Sequence, residues 1–413
     1  MNLQEKSYKI LKQLEKYTKT DINYVIKGSF WWIFGKVISF LSSFLMLIFF
    51  SRFLSKEVYG AYQYVLSTAG IIGILSLSEI GTALLRAVAK GREKTFFLCE
   101  KERIKFSFFT FLILLSVSGW YFLHKNLELG FSFLISSIFS PLISIFSLYS
   151  SFLQGKKKFD LQNIYFILNN ILAAFFIILI TILKPKLVWI IFAYYFGFFI
   201  TNFIFTLKIR KMIDLNTEED KEAVSLGKHL TIMTIPQYIA GQIDNVILWQ
   251  IAGPIEVAIY AFALRLVERI SEIFPFSGLA FPKMAEKNLK EIKKSIFEKF
   301  LKLFLFSIPL FGLYYFLCPY FFKIFFPNYL NSIFYSQILA ITLLFTPFSF
   351  LATVFLADGR KKELYLLNLL PQILKIILFF ILIPLFKIWG GIYSILISQI
   401  FYSILTLYFF KKF

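Results

Sequence analysis

The segment Ala261–Glu272 reads AFALRLVERISE and lies in the middle of a long apolar stretch, residues 255–281. That stretch is long enough to cross a bilayer as a helix. Four of its residues are ionisable and recur at positions i, i+3, i+4 and i+7 of one helical face: Arg265, Glu268, Arg269 and Glu272. Four charges facing lipid would cost on the order of 10 kcal/mol. We expect this stripe to face a partner helix or a water-filled cavity, and its two arginines indicate a path for an anion.

The composition predicts an all-α polytopic membrane protein. Of the 413 residues, 58% are hydrophobic and 16% are charged, against roughly 25% charged in an ordinary soluble domain. Apolar runs of about 20 residues, the length of a membrane-spanning helix, recur from Gly28 to the C-terminus. The alternating ten-residue pattern that is typical of membrane β-strands does not occur.

Twelve spans are predicted, and the charge of their loops alternates. Of the 44 Lys and Arg residues, 32 lie at the termini and in one set of alternate loops, and seven lie in the other set. Because cytoplasmic loops carry the basic excess, both termini are expected in the cytoplasm. The net charge of +20 then reflects topology, and no nucleic-acid partner is expected. The predicted spans are residues 28–51, 58–85, 106–123, 129–153, 160–183, 187–207, 229–252, 255–281, 301–326, 330–357, 364–386 and 388–410.

The chain repeats internally. Residues 53–62 (FLSKEVYGAY), after the first span, are similar to residues 251–260 (IAGPIEVAIY), after the seventh. Residues 154–158 (QGKKK) are similar to residues 358–362 (DGRKK), and the equivalent residues are separated by 199 and 204 positions. Six spans followed by six spans predict a parallel pseudo-repeat of two six-helix lobes around a central cavity.

Four regions follow from this repeat. Residues 1–27 are expected to form a cytoplasmic amphipathic segment that lies on anionic lipid, the alternative being a solvated tail. The other three regions are the N-lobe (28–212), a cytoplasmic linker (213–228) and the C-lobe (229–413). This layout is typical of alternating-access transporters, which bind substrate near the midplane between their lobes.

Several motifs carry a resemblance to a known family. The sequence resembles the Wzx-type O-antigen or polysaccharide repeat-unit flippases, within the multidrug/oligosaccharidyl-lipid/polysaccharide exporter superfamily. The similar stretches are Arg52–Tyr62 (RFLSKEVYGAY), Gln242–Leu248 (QIDNVIL), Glu256–Tyr260 (EVAIY), Phe281–Met284 (FPKM) and Asp358–Lys362 (DGRKK). The chain departs from the family pattern at Ala258-Ile259, where a small glycine is usual.

The resemblance implies a flippase for undecaprenyl-pyrophosphate-linked oligosaccharides in the bacterial cytoplasmic (inner) membrane. Its partners would be this lipid-linked oligosaccharide, membrane lipids, and the polysaccharide polymerase and chain-length proteins of the same pathway. No cofactor is expected, and transport could be coupled to an H⁺ or Na⁺ gradient. The implied protein is a transporter and not an enzyme.

Nine ionisable residues within the predicted spans are the candidate site. The basic residues, expected to hold the pyrophosphate or line the cavity, are Lys36, Arg86, Arg265, Arg269 and Lys375. The acidic residues, expected to neutralise the cavity or to serve in ion coupling, are Glu79, Asp244, Glu268 and Glu272. Intramembrane charges of this kind usually mark a substrate or ion pathway.

Structural alternatives stay open for several of these residues. Lys36 could pair with Glu79 instead of attracting phosphate, and Arg86 could extend to the cytoplasmic interface. The arginines of the 265–272 stripe could form only intrahelical ion pairs with its glutamates. Asp244 could bond Asn245 or Gln242 between helices, could pair with one of the stripe arginines, or could be a protonation site.

Two other functions are weighed. A multidrug antiporter of the same superfamily would transport organic cations and predicts an acidic cavity, whereas the balance within the spans here is slightly basic. A membrane-embedded polymerase or ligase usually needs a sizeable external loop, and no predicted external loop exceeds about seven residues.

Overall fold

The computed structural model describes residues 22–272 and 293–413. Within these ranges the regular structure is helical and includes no strand. Residues 1–21 of the predicted amphipathic segment and the side chain of Glu272 lie outside the described part. The helices are α1 (Ile22–Phe53), α2 (Lys56–Gly73), α3 (Ile80–Ala89), α4 (Thr95–Leu123), α5 (Leu127–Phe146), α6 (Leu148–Gly155), α7 (Phe159–Leu183), α8 (Leu187–Arg210), α9 (Glu222–Ala240), α10 (Ile243–Ala252), α11 (Pro254–Glu272), α12 (Lys293–Phe325), α13 (Ile333–Leu339), α14 (Phe348–Ala357), α15 (Lys361–Phe386) and α16 (Ile388–Lys412).

The predicted fold class is confirmed. Ten helical segments of the described chain are long and apolar enough to cross a membrane, and they coincide with ten of the twelve predicted spans. The other two predictions are the seventh span, which is divided between α9 and α10, and the eighth, whose helix α11 carries the ionisable stripe. The described residues of both segments are mostly helical, so twelve spans are compatible with the structure.

Several spans are broken in the middle. The second is interrupted at Leu77, which has a left-handed backbone (φ 55°), and the fourth at Ser147. The tenth contains two 3₁₀ turns, Pro327–Ser332 and Ala340–Phe345. Each break frees backbone carbonyls that need another donor inside a bilayer.

Arg103 donates hydrogen bonds to the free acceptors at two of these breaks. Its Nη1 donates to the Ser144 carbonyl at 2.8 Å and to Ser147 Oγ at 3.1 Å. Its Nη2 donates to the carbonyls of Leu77 and Ser78, both at 3.0 Å. The predicted third span begins at residue 106, which leaves Arg103 in the cytoplasmic loop before it. In the structure α4 begins at Thr95, and Arg103 is only 4% exposed. It is a structural residue that joins the second span to the fourth.

Glycine allows the closest approach between the two predicted halves. Helix α2 contacts α10 and α11, and α3 contacts α9. A Cβ on Gly60 would lie 1.9 Å from the Pro254 carbonyl oxygen, so only glycine fits there. This explains the glycine of the Tyr59-Gly60-Ala61-Tyr62 motif. The division of the chain into two lobes stays a prediction.

Helix α11 is also attached to the tenth span. Ser332 Oγ donates to the Ile259 carbonyl and Ser336 Oγ to the Ala263 carbonyl, both at 2.9 Å. Two hydroxyls, one helical turn apart, therefore bond one face of α11. Helix α11 is buried from Val257 to Ala263. Its C-terminal half carries the ionisable stripe and is the part that is accessible to a ligand.

The linker lies against the loop that precedes α4. The Asp214 N–H donates to Glu93 Oε2 at 3.1 Å, and the Asp220 N–H donates to Thr95 Oγ1 at 2.8 Å. In the reverse direction, the Lys94 N–H donates to Thr217 Oγ1 at 2.9 Å. The linker is thus bonded along its length to the first half of the chain.

Replacing Arg103 should destabilise the fold strongly. In Arg103→Met, buried carbonyls of two broken helices lose their donor, and each unsatisfied group costs about 1–3 kcal/mol. Lys94→Met is the control, because Lys94 makes an exposed ion pair with Glu219, a type worth about 0–1 kcal/mol. Thermal unfolding of the purified variants in detergent measures the difference. Equal losses in the two variants would contradict the assigned role of Arg103.

Replacing Gly60 by alanine should also destabilise the protein, by about 1–3 kcal/mol, because the new methyl group forces α2 away from Pro254. Gly119→Ala on α4 is the control, since no heavy atom lies within 4 Å of a Cβ there. Alanine is the better helix former, so this second change should be neutral or stabilising. The same unfolding measurement applies, and a harmless Gly60→Ala would show that the helices are not in close contact at this point.

Candidate functional site

The ionisable stripe of α11 is half-exposed inside the bundle. Arg265 Nη1 lies 3.0 Å from Glu268 Oε2, an i,i+3 pair on one helix. The two side chains are 32% and 42% exposed, although most of the neighbouring residues of α11 are buried. The predicted intrahelical ion pair therefore exists, and it borders an open space.

Tyrosines from other helices surround Arg265, which shows that the stripe faces the protein interior. Tyr59 and Tyr62 of α2 and Tyr194 of α8 all interact electrostatically with the guanidinium. Tyr59 also interacts with Glu268 and Arg269. Helices α2 and α8 belong to the first half of the chain, so the stripe of the second half points towards the first.

A buried hydrogen-bond network supports the site from behind. Asp244 Oδ2 accepts from the Tyr260 hydroxyl at 2.8 Å, and Asp244 Oδ1 accepts from the Asn245 N–H at 2.9 Å. Asp244 is 3% exposed and interacts electrostatically with Arg265. Asp244 therefore bonds its sequence neighbour Asn245 and interacts with Arg265 at longer range, and its role stays a prediction.

The network continues across to the first half of the chain. Asn245 Nδ2 donates to Ser67 Oγ at 3.0 Å, and Ser67 Oγ donates to Gln242 Oε1 at 2.9 Å. Ser67 lies on α2, whereas Gln242 and Asn245 lie at the break between α9 and α10. The same broken span that carries Asp244 is thereby fixed against α2.

The predicted basic residues lie on several different helices. Arg265 and Arg269 are adjacent on α11. Lys36 is exposed on α1, and Lys375 is half-buried on α15, with its Nζ 5.2 Å from the centre of the Phe379 ring. Arg86 lies apart, beside the linker, where it lines a cavity of about 500 Å³ together with His229, Asp220 and Ser225.

Glu79 occupies a structural position at the start of α3. Its Oε2 accepts from Thr82 Oγ1 at 2.9 Å, and its backbone N–H donates to Thr231 Oγ1 at 3.2 Å. A carboxylate at a helix N-terminus is favoured by the helix dipole. These contacts place Glu79 at a helix start; its pairing with Lys36 and its role in ion coupling stay predictions.

Sequence reasoning missed the tyrosines around Arg265. Tyr59, Tyr62 and Tyr194 were not among the predicted site residues, because the candidate site was drawn from the charged residues within the predicted spans. Two of them stand in the motif at the start of the second span, and its repeat partner leads directly into the stripe of α11. The similarity between these two stretches of sequence was the signal that could have pointed to the tyrosines.

The fold is that of transporters of the MOP superfamily. The structure is similar to the lipid II flippase MurJ in an inward closed conformation, with a TM-score of 0.71 and 15% identity, over 94% of this chain and 87% of MurJ. It is also similar to a multidrug resistance MATE family transporter in an inward-facing conformation, with a TM-score of 0.70 and 12% identity, over 91% of this chain and 94% of the transporter.

The chain belongs to the polysaccharide biosynthesis protein family, whose sequence model matches residues 25–287. A Shigella flexneri protein named "Putative O-antigen transporter" is 24% identical over 309 residues, 69% of this chain and 72% of that protein. The resemblance drawn from the motifs is confirmed. The protein is a multi-pass membrane protein, and the roles of its site residues stay predictions.

Water should reach the stripe from inside the bundle. A cysteine at position 268 (Glu268→Cys) should react with a membrane-impermeant maleimide in open membrane fragments, because only a hydrated thiol ionises and reacts. Ala263→Cys, at a buried position of the same helix, and Leu305→Cys, at a position 62% exposed on the apolar surface of α12, should react several times more slowly. The native cysteines, Cys99 and Cys318, are both buried. Equal rates at positions 268 and 305 would mean that the stripe faces lipid.

Proposed function

We propose that the protein is a flippase for polysaccharide repeat units linked to undecaprenyl pyrophosphate. It transfers them from the inner to the outer leaflet of the bacterial cytoplasmic membrane for O-antigen, capsular or exopolysaccharide synthesis. Membership of the polysaccharide biosynthesis family and similarity to the Shigella flexneri protein support this substrate class. The MurJ-like fold is compatible with it.

The observation that carries the proposal is the placement of Arg265. Its guanidinium has five N–H donors, and Glu268 occupies Nη1. The Arg265 side chain is 32% exposed, so the remaining donors are available to a ligand. A guanidinium can bond two phosphate oxygens at once, which a lysine ammonium cannot do in the same geometry. Arg265 and Arg269 would hold the pyrophosphate, and Lys36 and Lys375 would add positive charge to the cavity walls.

The acidic residues fit a supporting role. Glu268 keeps the Arg265 side chain oriented by their 3.0 Å contact and lowers the net charge of the empty cavity. Asp244 is bonded to Tyr260, so it would hold Arg265 from the buried side. Asp244 would also be the protonation site if an H⁺ gradient drives transport.

Contacts between the halves close one end of the bundle. Asn328 Nδ2 donates to the Ser51 carbonyl at 2.7 Å, and Arg52 Nη2 donates to the Ile324 carbonyl at 3.4 Å. The basic-loop pattern makes this the external end. We infer that the headgroup enters from the cytoplasmic side and leaves when these contacts break. Each is worth only about 0.5–1.5 kcal/mol, so they can open and close during a transport cycle.

A deletion strain tests the proposal. Cells that lack the protein should accumulate complete repeat units on undecaprenyl pyrophosphate and should lose surface polysaccharide. Arg265→Ala should lower the restored translocation by roughly 10- to 100-fold, the value of one charge-assisted contact of about 1.5–3 kcal/mol. Arg265→Lys keeps the charge but loses the two-point contact, so it should restore an intermediate rate. Lys94→Ala, at an exposed ion pair in the loop before α4, should restore translocation fully.

The competing function would give a different result. If lipid-linked sugars stay at the wild-type level and the deletion strain becomes sensitive to cationic dyes, the protein is a multidrug exporter of the same superfamily. In that case Glu268→Gln, and not Arg265→Ala, should abolish the resistance, because a cation needs the carboxylate.

A further inference from the structure

A second, apolar site lies on the other side of the charged helix. A groove of about 160 Å³ runs between α11 and α12. Its principal lining residues are Leu266, Ile270, Leu310, Leu313, Leu317 and Phe321. The two polar side chains in the lining have partners: the Tyr314 hydroxyl bonds Ser336 Oγ at 2.5 Å, and Cys318 Sγ faces the Ile333 carbonyl at 4.0 Å. The groove therefore offers only apolar contact.

The groove is open towards the bilayer. Leu313 and Leu317 line it and are 58% and 50% exposed. Phe316, between them in the sequence, is 72% exposed outside the groove. A hydrocarbon chain can therefore enter sideways from the membrane without crossing a polar region.

The groove and the charged stripe share the same two turns of α11. Leu266 and Ile270 directly follow Arg265 and Arg269. Successive residues of a helix point about 100° apart, and four residues rise about 6 Å. The groove thus begins beside the arginines and extends alongside them at the same depth in the membrane.

One end of the groove meets the first half of the chain. The Phe321 ring packs against the ring of Phe44 on α1, with 5.5 Å between their centres. The groove therefore lies next to the line where α1 meets α12, which is a boundary between the two predicted halves. A ligand that crosses between the halves passes this point.

We propose that the groove holds the first part of the polyprenyl chain while the pyrophosphate is bound at Arg265 and Arg269. This inference rests on the proposed function. The groove has room for about five water-sized groups of about 30 Å³ each, which equals about one five-carbon isoprenoid unit. A polyprenyl pyrophosphate has a single chain joined directly to its phosphate, which matches a single groove one residue away from the arginines. A phospholipid has two chains, and a glycerol unit separates them from its phosphate.

Filling the groove tests the proposal. Leu313→Trp and Leu317→Trp each place a large ring in the groove, and Phe316→Trp on the same helix is the matched control. Binding of undecaprenyl pyrophosphate and of inorganic pyrophosphate is measured on each full-length protein by native mass spectrometry. Both groove variants should bind undecaprenyl pyrophosphate about tenfold more weakly, the effect of losing about two buried methylene contacts. They should bind inorganic pyrophosphate, which has no tail, as the wild type does.

The outcomes separate this inference from the proposed function. If the wild type binds both compounds and the groove variants bind undecaprenyl pyrophosphate as tightly as Phe316→Trp does, the groove does not hold the tail, and the flippase function stands. If the groove variants weaken phosphatidylglycerol binding by the same factor, the occupant is an ordinary phospholipid and the inference is wrong. If the wild type binds neither pyrophosphate compound, the proposed function is wrong, and so is this inference, which rests on it. Unfolding midpoints of the variants equal to that of the wild type confirm that the proteins compared are folded.

Discussion

Charged groups can be kept inside a membrane helix only where protein or water solvates them, and the structure depends on this constraint at α11. Arg265 and Glu268 pair with each other, and Arg265 interacts with Asp244 and with tyrosines of α2 and α8. These contacts need the first half of the chain to lie directly opposite the stripe. The close approach of α2 at Gly60 provides that placement. The repeated motif and the charged stripe are thus two parts of one arrangement.

The hydrogen bonds near Arg265 bear on its proposed role in ligand binding. An arginine held only by flexible glutamates would lose side-chain entropy on binding. Here Asp244 is itself fixed by Tyr260 and by the Asn245 N–H, and the span that carries it is bonded to Ser67. The Asp244 carboxylate, which interacts electrostatically with Arg265, is therefore held in place by hydrogen bonds. Preorganisation lowers the free energy needed to bind an anion.

The sequence predicted the features that depend on local pattern. The length and polarity of the apolar runs predicted the helical spans, and helical periodicity placed Arg265, Glu268 and Arg269 on one face. It could not predict partners far apart in the chain. Arg103 has the composition of a loop residue, but its four acceptors come from two breaks that periodicity does not reveal. The tyrosines around Arg265 resemble the many lipid-facing aromatic residues until the packing of α2 and α8 is known.

The linker has a mechanical consequence. Hydrogen bonds at Asp214, Thr217 and Asp220 join it to the loop before α4, and Gly227 of α9 lies so close to Ile80 that an added Cβ would be 2.9 Å from the Ile80 Cα. The N-terminal end of α9 would thus be the fixed edge of any relative movement of the two predicted halves. Such a movement would be a rotation about a hinge along one side of the protein, so that only the opposite side opens. A bulky headgroup would then pass only through the side away from the hinge.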